Sequence, residues 1–238
     1  MRVRSGVRGA GGPAAPDRPP LHAVASLDRI CTGWAERWGA AAVPAADAGG
    51  FGGGTLREAG LAPHGSACHG VLWQYRGQQA PPEGLLTAVP GPPRRDETDA
   101  DGTRRTAPRT REVVAVGTAE QVSDHLLHAR RFLRELSGEL GLPLERVAAP
   151  GPRHDEDERS AGPVAYEHRY RGRAIASENR HLTYFGERCS IVLPDGGPAS
   201  SSCVALGLDG WLNALADHFE QDWGRVLAAV DTAERFLG

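Results

Sequence analysis

Apolar residues recur at helical spacing from Leu27 onward. Leu27, Ile30, Cys31, Trp34 and Trp38 share one face, and Ser26 stands where an N-cap belongs. This predicts a first helix that starts at Ser26 and is stopped at the latest by Pro44. The strongest helical signal follows Thr118. Thr118 and Gln121 have the spacing of a capping box, and Val122, Leu126, Ala129, Leu133 and Leu136 form a stripe ended by Gly138 and Gly141. Residues 211–221 and 224–237 predict two terminal helices, with Leu212, Leu215 and Phe219 on one face of the first. Short apolar runs predict strands at Gly70–Tyr75, Arg111–Gly117, Val164–Tyr170, Cys189–Leu193 and Ser202–Leu206, with glycine-containing turns between the later ones. The order of helices and strands, with no internal repeat, predicts an α+β fold. An antiparallel β-sheet flanked by helices fits it better than alternating βαβ units.

Three stretches carry no such period. Residues 1–20, rich in Gly, Pro and Arg, predict a disordered tail, leaving 21–238 as a single domain. Residues 77–110 include a proline-rich, charged segment, Pro90 to Thr110, which reads as a variable surface loop, either floppy or functional. The charged run from Arg153 to Ser160 predicts a solvated loop.

Composition narrows the chemistry. A formal charge of −3 and a pI near 6.3 lack the basic excess of general nucleic-acid binders. Mean hydropathy is −0.39, no apolar run approaches a membrane span, and the N-terminus has no signal-peptide core, so a cytoplasmic protein without membrane association is expected. All 27 basic residues are arginine, which removes lysine nucleophiles and Schiff bases. The four cysteines are scattered without a CxxC pair, so zinc fingers are excluded and disulfides are not expected. Cys31 and Cys189 read as core residues. Cys68, Glu112 and Cys203 admit two accounts. They are buried structural groups, or two thiolates and a carboxylate filling three positions of a tetrahedral zinc with the fourth open.

Three stretches bear on that choice: GSACHGVLWQY around Cys68, RTREVVAVGTAEQV around Glu112, and SENRHLTYFGERCSIVLPDGGPASSSCVALGLDGW through Cys203. From about Ser26 to Gly224 the chain resembles the class II aminoacyl-tRNA synthetase catalytic core. It is most similar to the amino acid:[carrier protein] ligases related to atypical, zinc-dependent seryl-tRNA synthetases. The resemblance implies that Cys68, Glu112 and Cys203 hold a Zn2+ that binds the amino group of a small amino acid. It implies ATP with Mg2+, contacted through Arg95, Glu97, Arg111 and Asp209, and a place near the amino acid for Asn179 and His181. Val43 and Pro44 resemble a dimer-forming motif, so a homodimer is expected. The implied reaction is aminoacyl-adenylate formation followed by transfer to the phosphopantetheine thiol of a carrier protein, and tRNA is not the expected acceptor. One departure motivates an alternative. Where the resemblance calls for Gly-Leu-Glu-Arg, this chain has Gly207-Leu208-Asp209-Gly210. Losing one guanidinium on phosphate typically costs about 2–4 kcal/mol of transition-state binding. The alternative is a relative that binds an amino acid through zinc, or transfers an aminoacyl group, without ATP-dependent activation. His64, His69, His125, His128 and His218 are expected to be structural.

Overall fold

The computed structural model describes residues 20–42, 67–91, 97–98, 104–105, 109–149 and 165–238. The tail at 1–19, the loop at 153–160, Val43, Pro44, His64 and Arg95 lie outside the described residues.

A seven-stranded sheet organises the chain. Its strands are β1 (Ala41–Ala42), β2 (Leu85–Pro90), β5 (Thr110–Gly117), β6 (Glu145–Ala149), β7 (Ala165–Tyr170), β8 (Arg173–Leu182) and β9 (Ser200–Gly207). They lie in the order β1-β2-β5-β9-β8-β7-β6, and every neighbouring pair is antiparallel except β1 with β2. A two-stranded hairpin, β3 (Glu97–Thr98) with β4 (Arg104–Arg105), forms within the stretch read as a variable loop, as does β2.

Alternation along the strands divides the molecule into two cores. On one face, Ala88, Val113, Ala176, Val204 and Leu206 meet helices α1 (Leu21–Arg37), α3 (Ala119–Glu139), α5 (Leu208–His218) and α6 (Trp223–Leu237). On the other, Val89, Val114, Val116 and Cys203 pack against α2 (Ala67–Gln74) and the short α4 (Tyr184–Arg188). Gly186 lets α4 sit directly on the approach to β9, because a Cβ there would stand 2.1 Å from the Ala199 carbonyl oxygen. Toward β7 the second face is less covered, and Ser177, Asn179, Glu167 and Ala205 remain half-buried.

Several local expectations shift. The first helix begins at Leu21 after Pro20, because the apolar face continues back through Val24 and Ala23. Ser26 is therefore buried inside it, where its hydroxyl accepts from the Arg29 guanidinium at 2.9 Å. Trp38 lies past the end of the helical face and is 41% exposed. Gly39, at φ +86°, closes that helix as its C-terminal glycine. Gly70–Tyr75 is not a strand but most of α2. Val71 and Leu72 are both buried, so the run lacks the polar face that would have shown a helical period. Cys189–Leu193 is likewise not a strand: Cys189 ends α4, and only Val192 makes isolated bridges. The capping box at Thr118 and Gln121 forms with both reciprocal hydrogen bonds. Cys31 and Cys189 are buried, and none of the four cysteines is in a disulfide.

Candidate metal and substrate site

Glu112 lies on β5, the third strand of the sheet, and faces the second core. Its carboxylate meets the N-terminus of α2: Oε1 accepts the Ala67 amide at 3.1 Å and Oε2 the Cys68 amide at 2.9 Å. A carboxylate suits that position, because the first amides of a helix have no intrahelical acceptor and carry its positive dipole end. The same contact brings the Cys68 side chain, in the first turn of α2, to the sheet. Cys203 arrives from β9, and its thiol donates to Glu112 Oε2 at 3.6 Å.

The ligand atoms of Cys68, Glu112 and Cys203 all lie within 4.8 Å of one another, and all three residues are buried. The thiol of Cys203 is held well above its ordinary pKa by its hydrogen bond with Cys68, by burial, and by the nearby charges of Cys68 and Glu112. Three potential anions at this spacing resist joint ionisation unless a cation enters. Two sulfurs and one carboxylate suit zinc, with three protein ligands and an open fourth position. Bound zinc would leave one excess negative charge among three ionised ligands, opposed by the α2 amides.

Strand register places the neighbours. Cys203 pairs with Val114 on one side and Asn179 on the other. Glu112 pairs with Ala205, which pairs with Ser177, which pairs with Glu167. Asn179 is thus adjacent to Cys203 on the less-covered face, and its amide donates to the Ser177 hydroxyl at 3.3 Å. His181 also reaches this face, through an irregularity between Arg180 and Leu182 at which Leu182 takes φ +53°. Its Nδ1 lies 3.0 Å from the Ser201 hydroxyl, and its ring meets Phe185 edge-on.

The other expected residues stand apart from this group. Arg111 points to the helix-covered face, 8% exposed, where Nε and Nη2 donate to the two Asp28 oxygens at 2.8 and 2.6 Å. Asp209, in the first turn of α5, accepts the Arg109 backbone amide at 2.6 Å and its Nε at 3.1 Å. Glu97 is on β3, and its side chain lies outside the described residues. The structure adds three residues that sequence reasoning passed over. Ser201 partners His181, Arg109 is held by Asp209, and the Ser202 hydroxyl lies 2.8 Å from His125 Nδ1 on the opposite face. The run Ser200–Ser202 was a usable signal, since consecutive strand residues serve opposite faces.

No protein-family profile and no curated protein sequence matches this chain. Solved structures do match in three dimensions. The chain is similar to the seryl-tRNA synthetase of M. kandleri, solved with A. aeolicus tRNASec, at TM-score 0.56 and 17% identity, covering 91% of this chain and 45% of that one. It is similar to Giardia lamblia prolyl-tRNA synthetase with prolyl-adenylate, at TM-score 0.59 and 14% identity over 82% of this chain and 46% of that one. It is also similar to the cytoplasmic serine-tRNA ligase of Naegleria fowleri with AMP, at TM-score 0.59 and 9% identity over 82% and 48%. The fold is that of the class II aminoacyl-tRNA synthetase catalytic core, a mixed seven-stranded sheet with helices. The chain spans a little under half the length of these proteins. No helix among the described residues is long and apolar enough to cross a membrane.

Proposed function

We propose that this chain is a zinc-dependent ligase that activates a small amino acid with ATP and passes it to the phosphopantetheine thiol of a carrier protein. The observation carrying this reading is the convergence of Cys68, Glu112 and Cys203, far apart in sequence, on one point of a synthetase-type sheet. Zinc held there supplies a Lewis-acid contact for the neutral amino group of the substrate. Asn179 and Ser177, beside Cys203 and Glu112 on the same face, then bound the space left for the substrate side chain. A carboxylate oxygen of the amino acid attacks the α-phosphorus of Mg2+-bound ATP, and the bond to pyrophosphate breaks. The carrier thiol loses its proton and attacks the acyl carbon, and AMP leaves. Residues that hold the amino acid in line with the nucleotide contribute chiefly by orientation. Arg109 carries a guanidinium to Asp209, next to Gly210. It is the arginine of this chain proposed to meet phosphate charge there: although paired with Asp209, its side chain is 42% exposed, whereas Arg111 is paired with Asp28 and buried on the helical face. A homodimer and a cytoplasmic location accompany this reading.

The absence of any side chain at Gly210 favours a second reading, in which the protein binds an amino acid through zinc without activating it. The two separate experimentally. Metal analysis of the purified protein is expected to find zinc, about one per chain, and to find it lost in Cys203→Ser. Amino-acid-dependent exchange of labelled pyrophosphate into ATP is then expected for a small amino acid. Zinc without exchange across a full panel selects the second reading, and a wild-type protein without zinc removes both.

A further inference from the structure

A cavity of about 420 Å³ opens at the edge of the helix-covered face of β2 and β5, between the end of α1 and the first two turns of α3. Leu85, Leu86, Ala115 and Val122 give it an apolar floor. Trp38 forms an aromatic wall, half-exposed and packed against the His128 ring. The charged residues lining it are Glu83 and Asp124, both acidic. Among the described residues, neither makes a salt bridge or hydrogen bond and no arginine lines the cavity. His125 lines it too, but burial lowers its pKa to about 4, so its imidazole is neutral at physiological pH and adds no repulsion. Gln121 is occupied, its amide group shared between Thr118 and the Pro82 carbonyl.

We propose that this cavity binds a small organic cation, an alkyl- or arylalkyl-ammonium or guanidinium, with its apolar part on Leu85, Leu86 and Val122 and its charge beside Trp38, Glu83 and Asp124. An indole face attracts a cation through its quadrupole, and the attraction grows as water is excluded. Two exposed carboxylates of one sign, Glu83 and Asp124, with no salt bridge or hydrogen bond among the described residues, select positive charge over an isosteric neutral molecule. The volume falls within the range of small-molecule sites. This site involves none of Cys68, Glu112 and Cys203, so it stands or falls independently of the zinc reading.

The test is isothermal titration of the purified full chain with phenethylammonium and agmatine, and with phenethyl alcohol as the neutral control. Saturable binding of at least one cation at sub-millimolar concentration is expected, at least about tenfold tighter than the alcohol. Glu83→Gln with Asp124→Asn is expected to weaken it about tenfold or more, which corresponds to a change of 1.4 kcal/mol per tenfold, with unchanged circular dichroism. Trp38→Leu is a second variant, expected to weaken the cation more than the alcohol. No saturable cation binding, or binding that survives the paired carboxamide substitutions in a folded protein, overturns the proposal.

Discussion

Arg111 and Glu112 are neighbours in sequence and serve opposite faces of the sheet. Glu112 turns to Cys68 and Cys203, while Arg111 turns to Asp28 on α1, where the pair is largely enclosed. The same division recurs on β9, where Ser201 and Ser202 each meet a histidine, His181 on the candidate-site face and His125 on the helical face. Cys203 follows directly, so its strand is held from both sides. The Arg111 geometry makes a definite expectation about its role. Arg111→Gln leaves the Asp28 carboxylate without its bidentate partner. Breaking such a pair on one side costs about 3 kcal/mol when both groups are buried, and about 2 kcal/mol here because Asp28 keeps some solvent. At the scale of a chain this long, that lowers the melting temperature by roughly 4–8 °C. Zinc content is expected to stay at the wild-type level. Thermal denaturation and metal analysis check both points; an unchanged melting temperature with weakened ATP binding would instead return Arg111 to the nucleotide site.

At the scale of elements, legibility followed how asymmetric each segment's environment is. β5, β7, β9 and α3 were readable because each has a plain run or stripe, and α3 begins with a complete capping box. β8, the longest strand, was read as a turn and a motif, since its half-buried face carries Ser177 and Asn179 and its buried face carries Glu178. A carboxylate 1% exposed is no sequence signal for a strand. It becomes intelligible only with its partners: Arg130 from α3, Arg146 from β6 and His168 from β7 all hydrogen-bond to Glu178. Likewise Glu112 and Cys203 belong to adjacent strands whose register no local spacing encodes; the resemblance to synthetases named them, while Arg109 and Ser201 had no such guide. The Glu178 cluster ties four elements and yields a pH prediction. Burial alone would raise the Glu178 pKa, but hydrogen bonds from His168, Arg146 and Arg130 outweigh it and bring it down to about 2, from an ordinary 4.5. A depressed carboxylate pKa contributes stability that is fully present above about pH 4.5 and is lost as pH falls toward 2. His125, held near 4 against an ordinary 6.5, contributes stability present above about pH 6.5 and lost toward pH 4. Acid destabilisation is therefore expected in two limbs. Glu178→Gln is expected to lower stability at neutral pH by about 2 kcal/mol and to flatten only the lower limb in a series of melting curves. A flattened upper limb instead would reassign it.

At the scale of the whole molecule, the candidate metal site lies where three separately built parts meet. α2 is anchored by its first amides on Glu112, β5 is the sheet's third strand, and β9 is its fourth. A metal bridging Cys68, Glu112 and Cys203 would therefore crosslink α2 to the sheet rather than decorate its surface. Binding to the folded chain alone stabilises it by about 2.7 kcal/mol at a free zinc concentration one hundred times the dissociation constant. For a chain of this size that is expected to raise the melting temperature by roughly 5–11 °C. Because ligand thiols must ionise to bind, and Cys203 holds its proton tightly in the metal-free protein, zinc binding is expected to release protons and to strengthen as pH rises. Hydrogen exchange gives the spatial readout. Amides of α2 are expected to slow markedly on zinc addition and to recover on chelation, while those of α6, on the far face, change little. Cys68→Ser is expected to abolish both effects. A zinc-induced slowing spread evenly over both faces, or one that persists in Cys68→Ser, would place the metal elsewhere and detach α2 from the site.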